Sequence, residues 1–131
     1  MQEVHDFLKQ CGHYFIATTE GDQPRVRPFG TVNIFDGKLY IQTGKVKNVA
    51  KQIKANPKIE ICAYNGSDQW IRIQAVAIED DRREAKASML DAYPSLKGTY
   101  SADDANTLLL YLKDVVATIA SFSSEPKVIK F

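Results

Sequence analysis

The chain has 131 residues, 44% of them hydrophobic and 25% charged, with a formal net charge of +1. That composition excludes the disordered and fibrous classes, and the near-zero charge argues against a surface built as a whole for nucleic acid or an anionic membrane, leaving local patches to be judged as sites. No run of eighteen apolar residues occurs, and the opening MQEVHDFLKQ places charge where a signal peptide needs an apolar core, so a cytoplasmic protein is expected.

The first segment, Gln2 to Cys11, carries Val4, Phe7, Leu8 and Cys11 on one helical face, and Gly12 stops it. HYFIATT then reads as a strand closed by EGDQ, and RVRPFGTVNIF as a second strand closed by the turn pair Asp36-Gly37 before KLYIQT. Together they predict a meander of three antiparallel strands. Alternation along the second strand sends Val26, Pro28, Gly30, Val32 and Ile34 to the barrel interior and Arg25, Arg27, Phe29, Thr31 and Asn33 to the other face. Two guanidinium groups, an aromatic ring and two hydrogen-bonding side chains in a row suit a flat ligand charged at one end; a solvated outer face is the plain alternative. Pro28 cannot donate to a ladder, so the strand is expected to be irregular there and to free neighbouring backbone groups.

Thr43 to Pro57, TGKVKNVAKQIKANP, places Val46, Val49, Ala50 and Ile53 at i, i+3, i+4 and i+7, with Lys47, Lys51 and Lys54 on another side and no acidic residue among them. A helix N-terminus with unpaired N–H groups, flanked by Lys47 and Lys51 one turn apart, is a site for a dianion. A solubilising lysine face is the alternative for an isolated helix. KIEICAY and WIRIQAVAIE, joined by NGSDQ, predict a second hairpin. The latter strand is apolar on both faces, with Ile71, Ile73, Ala75 and Ala77 on one and Trp70, Val76 and Ile78 on the other, so both faces need cover.

Asp81 to about Tyr93 reads as a helix, Pro94 to Asp104 as a loop, and the β-branched ending TLLLYLKDVVATIASF as two strands broken at Lys113-Asp114. Cys11 and Cys62 sit among apolar neighbours and are expected to be reduced and mostly buried. His5 and His13, eight apart, do not make a metal site, and no His or Cys offers itself as a catalyst. Strands this numerous with so few helices give a mainly β, α+β protein: one domain over residues 1–131, an antiparallel barrel of six or seven strands with peripheral helices. So small a barrel is filled by its own side chains, and a sizeable ligand must lie outside it or at a subunit boundary.

PRVRPFG, DGKLYIQT, KVKNVAKQIKANPKIEI and WIRIQAVAI, in that order, resemble the pyridoxamine 5'-phosphate oxidase-like FMN-binding split barrels, in particular the short members grouped with nitroimidazole-resistance proteins. The spacing carries it: Arg27 lies sixteen residues before Thr43, and Thr43 thirteen before Asn56-Pro57. The resemblance implies a split β-barrel homodimer with FMN at the interface. The second strand, Arg25, Val26, Arg27, Pro28 and Phe29, would lie against the flavin ring. Arg27, Thr43, Lys47, Asn48 and Lys51 would hold the phosphate, and Trp70 would either cap a flavin bound by the partner chain or serve as an interface residue. Lys47, Asn48 and Val49 replace the serine, arginine and lysine of the vitamin-making oxidases, and the chain is shorter than those enzymes, so the resemblance does not extend to pyridoxamine phosphate oxidation itself.

Three functions stand side by side at this stage. The first is a flavin oxidoreductase passing electrons from a reduced nicotinamide or small substrate to a nitro compound or quinone, in which FMN carries the chemistry and no protein acid or base is obligatory. The second is a non-catalytic protein storing or sensing FMN, haem or a deazaflavin. The third, an oligonucleotide-binding barrel, calls for a basic field and several exposed strand aromatics, which this sequence lacks.

Overall fold

A computed structural model describes all 131 residues. The elements, in order, are α1 (Gln2–Cys11), β1 (Tyr14–Glu20), β2 (Gln23–Phe29), β3 (Asn33–Phe35), β4 (Lys38–Gly44), α2 (Asn48–Ala55), β5 (Lys58–Tyr64), β6 (Gln69–Glu79), α3 (Arg83–Ala92), a 3-10 helix (Pro94–Gly98), β7 (Thr107–Ser121) and β8 (Lys127–Lys130). All strand pairs are antiparallel, in the order β2-β1-β5-β6-β7-β4-β3, with β8 beside β7. The fold is a mainly β split barrel with peripheral helices, in eight strands rather than six or seven. No helix is long and apolar enough to cross a membrane.

The split lies where the sequence predicts one continuous strand. RVRPFGTVNIF breaks at Gly30–Val32: β2 pairs only with β1 and β3 only with β4, so the expected three-strand meander does not form and β2 and β3 become the two ends of the sheet. Pro24 and Pro28 fit the end position of β2, where no second neighbour needs their missing N–H groups. The crossover is pinned by side chains instead of a ladder. The Tyr14 hydroxyl donates to the Thr31 carbonyl at 2.6 Å, the Gln42 backbone N–H donates to Thr31 Oγ1 at 3.1 Å, and the Tyr93 hydroxyl takes the Val32 N–H at 3.1 Å.

The break also reverses the expected facing of part of β2. Phe29 is buried in the core against Tyr14, not displayed toward a ligand, and Val26 is exposed, not interior. The strand faces its Arg25, Arg27 and Phe29 side inward over the barrel end, because Phe29 offers far more apolar area to bury than Val26. Asp36-Gly37 does form the expected turn: both residues have positive φ, 50° and 71°, as a type I′ hairpin requires.

Inside the barrel, Ile16, Leu39, Ile41, Ile59, Ile61, Ile71, Ile73 and Ala117 meet Val4 and Leu8 of α1 and Val49, Ala50 and Ile53 of α2. The chain ending is strand, as expected, but one long strand. Leu108, Leu110 and Leu112 point inward before Lys113-Asp114, and Val115, Ala117 and Ile119 after it. Asp114, at φ 52°, absorbs the extra residue of a bulge there, where the β6–β7 register shifts. Leu109 and Tyr40 face outward and are covered by Ala85 and Met89 of α3. Cys62, expected to be buried, lies exposed on the outer sheet face, because β5 turns Ile59, Ile61 and Ala63 inward and its even-numbered positions out.

Candidate functional site

The split leaves a cleft between the end of β2 and the end of β4, closed on one side by α2 and on the other by the 3-10 helix and the loop after it. One part, about 210 Å³, runs from Arg27 to Phe29 across Thr31, Gln42 and Thr43 to Lys47, with Leu96 and Tyr100 as the far wall. A more open basin, about 480 Å³, continues from Arg27 past Arg25 and Val26 to Lys47, Asn48 and Gln52. Small-molecule sites typically measure about 300–1,000 Å³, a range the joined cleft reaches.

Each end of the cleft has a local cause. The Gly44–Lys47 turn is held by Asn106, whose carbonyl takes the Lys45 N–H at 2.7 Å and whose side-chain oxygen takes the Val46 N–H at 3.2 Å. A Cβ on Gly44 would come within 3.1 Å of the Asn106 side chain and 3.2 Å of the Tyr100 hydroxyl, so a larger residue would have to push that wall back by a few tenths of an ångström. The helix starts later than the apolar spacing predicts: Lys47 is its N-cap in extended conformation, and Val46 is exposed in the turn instead of lying on the buried face. No side chain caps α2 and no acidic residue lies in its first turn, so its first N–H groups and positive dipole end open onto the basin.

Arg27 is half-buried, and every protein partner it has is neutral. Its Nη1 donates to Thr18 Oγ1 at 2.7 Å and to the Ile16 carbonyl at 3.3 Å, and its Nη2 donates to Gln52 Oε1 at 2.6 Å. Burial, and then the nearby Arg25 charge, pushes its pKa down from the ordinary value, yet a guanidinium remains charged at neutral pH. Arg25 is different: it is paired with Glu20 at 2.8 Å, and that hydrogen bond holds the exposed Glu20 carboxyl below its usual pKa.

Gln42 adds a second uncompensated group. It is 6% exposed, and its Nε2 is the one buried side-chain nitrogen or oxygen without a hydrogen-bond partner. An orphaned buried amide costs about 1–3 kcal/mol, so the wall of this cleft holds a donor in want of an acceptor.

The structure therefore brings together Arg25, Val26, Arg27, Pro28, Phe29, Thr43, Lys47 and Asn48, with Phe29 lining the cleft only from the core side. Lys51 is not in this cleft. It lines an adjoining depression, beside Thr19 and Asn56, that meets the basin at Glu20 and Gln52. Trp70 is also remote within one chain, on the outer sheet face with its ring 5.0 Å from that of Phe122. The residues that sequence reasoning misses are Thr18, Gln42, Gln52 and Tyr100. Two of them leave a signal, a glutamine inside the apolar strand LYIQT and a glutamine three residues after Val49 on the buried face of α2.

Comparison with known proteins agrees with this fold. The family profile for pyridoxamine 5'-phosphate oxidase matches residues 1–125. A NimC/NimA family protein from Clostridium acetobutylicum is 46% identical, with a TM-score of 0.97 over 100% of this chain and 92% of that one. At the level of fold alone, similarity extends to a pyridoxamine 5'-phosphate oxidase-related FMN-binding protein from Nostoc punctiforme, 15% identical, TM-score 0.65, covering 99% and 94%. It extends also to a haem-binding protein from Mycobacterium smegmatis, 13% identical, TM-score 0.71, covering 94% of this chain and 57% of that one. No protein of curated function matches. With a profile spanning nearly the whole chain and a close relative aligned from end to end, the chain belongs to the pyridoxamine 5'-phosphate oxidase family of split barrels.

Proposed function

We propose that residues 1–131 form an FMN-binding domain of an oxidoreductase that takes electrons from a reduced nicotinamide or a small substrate and passes them to a small acceptor of the nitro or quinone type. The observation that carries this is Arg27, a half-buried cation with only neutral partners, opening onto the same cleft as Lys47 at the uncapped start of α2. An arrangement of this kind is costly without an anionic ligand and suited to one with it. FMN supplies a phosphate dianion for Lys47, Asn48 and the α2 N-terminus, and a flat ring with polar edges for the strip from Arg25 to Pro28. The unpartnered amide of Gln42 fits the same ligand, since it requires an acceptor inside the cleft.

When bound, FMN supplies the redox chemistry itself, which accounts for a site with no histidine or cysteine in its lining. The chain's own part is to bind, orient and polarise: Arg27 holds positive charge where electron density increases, and Tyr100 and Leu96 wall the cleft from solvent. Haem calls for an axial imidazole, thiolate, thioether or phenolate, and of these the lining of this cleft offers only the Tyr100 hydroxyl, whereas its lysine and helix N-terminus suit a phosphate. A second copy of the chain completes the assembly, with FMN between the two protomers and Trp70 of each turned toward the other. The cytoplasm, where reduced nicotinamides are at hand, is the compartment in which such an enzyme works, and both cysteines are free.

The test is the absorbance of the purified protein, reconstituted with FMN if it is colourless. Flavin bands that bleach anaerobically with NADH or NADPH and return on adding a nitroaromatic or quinone are the expected result. Bands that persist with every donor would leave a binding protein without turnover, and failure to retain FMN at all would overturn the flavin assignment.

A further inference from the structure

The buried face of α2 carries one polar side chain, Gln52, 6% exposed. Its Oε1 accepts two hydrogen bonds, from Thr18 Oγ1 and from Arg27 Nη2, both at 2.6 Å. Thr18 Oγ1 in turn accepts from Arg27 Nη1 at 2.7 Å. Within the triangle the hydroxyl accepts a guanidinium N–H and donates its own O–H to the amide oxygen, while Gln52 Nε2 donates outward to Glu20 Oε2 at 3.5 Å. Turning the amide over would set its NH2 group against the Arg27 Nη2 donor and its oxygen against the Glu20 carboxylate, so its orientation is dictated by its neighbours. Three elements, β1, β2 and α2, meet at this point, and Arg27 keeps its Nε–H and one Nη2–H outside the triangle.

We propose that Gln52 is the positioning residue of the cleft: a neutral acceptor on α2 that fixes the Arg27 guanidinium for the cofactor without cancelling its charge. This rests on the flavin assignment above and adds to it a residue at the edge of the basin that works through another, Arg27. A free arginine surrenders rotamer entropy when a ligand immobilises it. Arg27 has already been immobilised by folding, and its two remaining donors face any ligand at a set place and tilt. A carboxylate in place of Gln52 would hold Arg27 as well, but would neutralise it. The amide holds it and leaves the full charge for the ligand. Because Gln52 sits on the helix whose N-terminus bears Lys47 and Asn48, the same contact also fixes the spacing between the strand arginine and the helix end.

The experiment is a double-mutant cycle in FMN affinity, read by quenching of flavin fluorescence, over wild type, Gln52→Met, Arg27→Ala and the double variant, with thermal midpoints measured alongside. Methionine matches glutamine in length and has no comparable acceptor. The expected result is that Gln52→Met weakens FMN about tenfold in the wild-type background, in line with loosening one charge-assisted contact, and costs nothing further once Arg27 is gone. A purely structural glutamine would move the thermal midpoint in both backgrounds and leave FMN affinity alone or change it equally in both; either outcome overturns the proposal. If Gln52→Met does not fold, Thr18→Val, which removes the bridging hydroxyl and leaves Gln52 in place, must show the same dependence on Arg27 or the proposal fails. Wild type that binds no FMN would overturn the flavin assignment, and this inference with it, whereas wild type that binds FMN with equal losses in both backgrounds overturns this inference alone.

Discussion

At the scale of single residues, Arg27 and Lys54 make the sharpest contrast, since each carries one positive charge and only one of them is placed for use. Arg27 is half-buried at the cleft with neutral partners, whereas Lys54 is exposed in the last turn of α2, away from the helix N-terminus. Arg27→Ala is expected to weaken FMN roughly ten- to a hundredfold, the worth of one charge-assisted hydrogen bond, and Lys54→Ala to leave it within about twofold. Equal losses in a binding titration would mean that only overall charge matters. Arg27 is legible in the sequence because alternation and spacing both single it out. Phe29 is not, because its facing depends on where the strand breaks, and that is set by the Tyr14 and Tyr93 contacts to Thr31 and Val32, which no local pattern announces.

Asp80 offers a second residue-scale test, well away from the cleft. It is 9% exposed and accepts the Tyr40 hydroxyl at 2.6 Å and the Arg82 guanidinium at 2.9 Å. The Arg82 hydrogen bonds hold its carboxyl well below the usual carboxylate range, with the Tyr40 hydroxyl helping, while burial and then Asp80 push the Tyr40 hydroxyl up to about 12. An unfolded aspartate titrates near about 3.9, so the stability from this group is complete above that pH and drains as pH falls toward the lower folded value. Asp80→Asn is expected to cost about 1.5–3 kcal/mol at pH 7, and that cost should shrink on acidification below about pH 4. Urea titrations of both proteins from pH 7 to pH 3 read the difference, and a gap that stays constant or widens in acid would remove Asp80 as the anchor of the α3 entry.

At the scale of elements, the start of α2 decides which lysine meets a phosphate. Apolar spacing alone treats Lys47 and Lys51 alike, since both lie on one side of an ideal helix. In the fold, the Asn106 contacts hold residues 45 and 46 in a turn, Lys47 becomes the N-cap at the basin, and Lys51 turns to a neighbouring depression. Lys47→Ala is therefore expected to weaken FMN roughly ten- to a hundredfold and Lys51→Ala distinctly less. Riboflavin, which lacks the phosphate, should bind weakly to the parent protein and change little in either variant. Parallel loss of both ligands in a well-folded Lys47→Ala protein would detach this lysine from the phosphate. The helix is legible from its amphipathic period and the hairpins from their turns. The exact N-cap is not, because it is fixed from Asn106, more than fifty positions along the chain, and the bulge at Asp114 shows in the sequence only as an apparent break between strands.

At the scale of the molecule, the outer sheet face remains to be accounted for. Register aligns Pro28, Phe15, Cys62, Arg72, Thr118 and Val128 across β2, β1, β5, β6, β7 and β8, with Tyr64, Trp70 and Ala120 in a neighbouring row. Phe15, Tyr64 and Val128 are each more than half exposed, and so is Val26, which also lines the basin of the cleft. Large apolar side chains exposed together on one sheet face, here interleaved with Arg72, Gln74 and Thr118, mark an interface. Its margin runs into the cleft at Val26, so whatever covers the face also covers the cofactor. A second copy of the chain, as proposed above, would do both, and on that proposal the wild-type protein is expected to sediment at twice its 14.7 kDa chain mass. Phe15→Glu separates the possibilities. In an isolated chain the side chain at 15 points to solvent, so the substitution would leave secondary structure, thermal midpoint and FMN binding nearly unchanged. In a dimer it buries a carboxylate without a partner, which costs several kcal/mol per protomer, enough to split an ordinary interface. The expected outcome is a folded monomer by sedimentation and circular dichroism that has lost most of its affinity for FMN, because half of the ligand's cover has gone with the partner. A wild-type monomer that binds FMN tightly, or a Phe15→Glu monomer that binds it as well as the parent, would place the cofactor wholly within one chain.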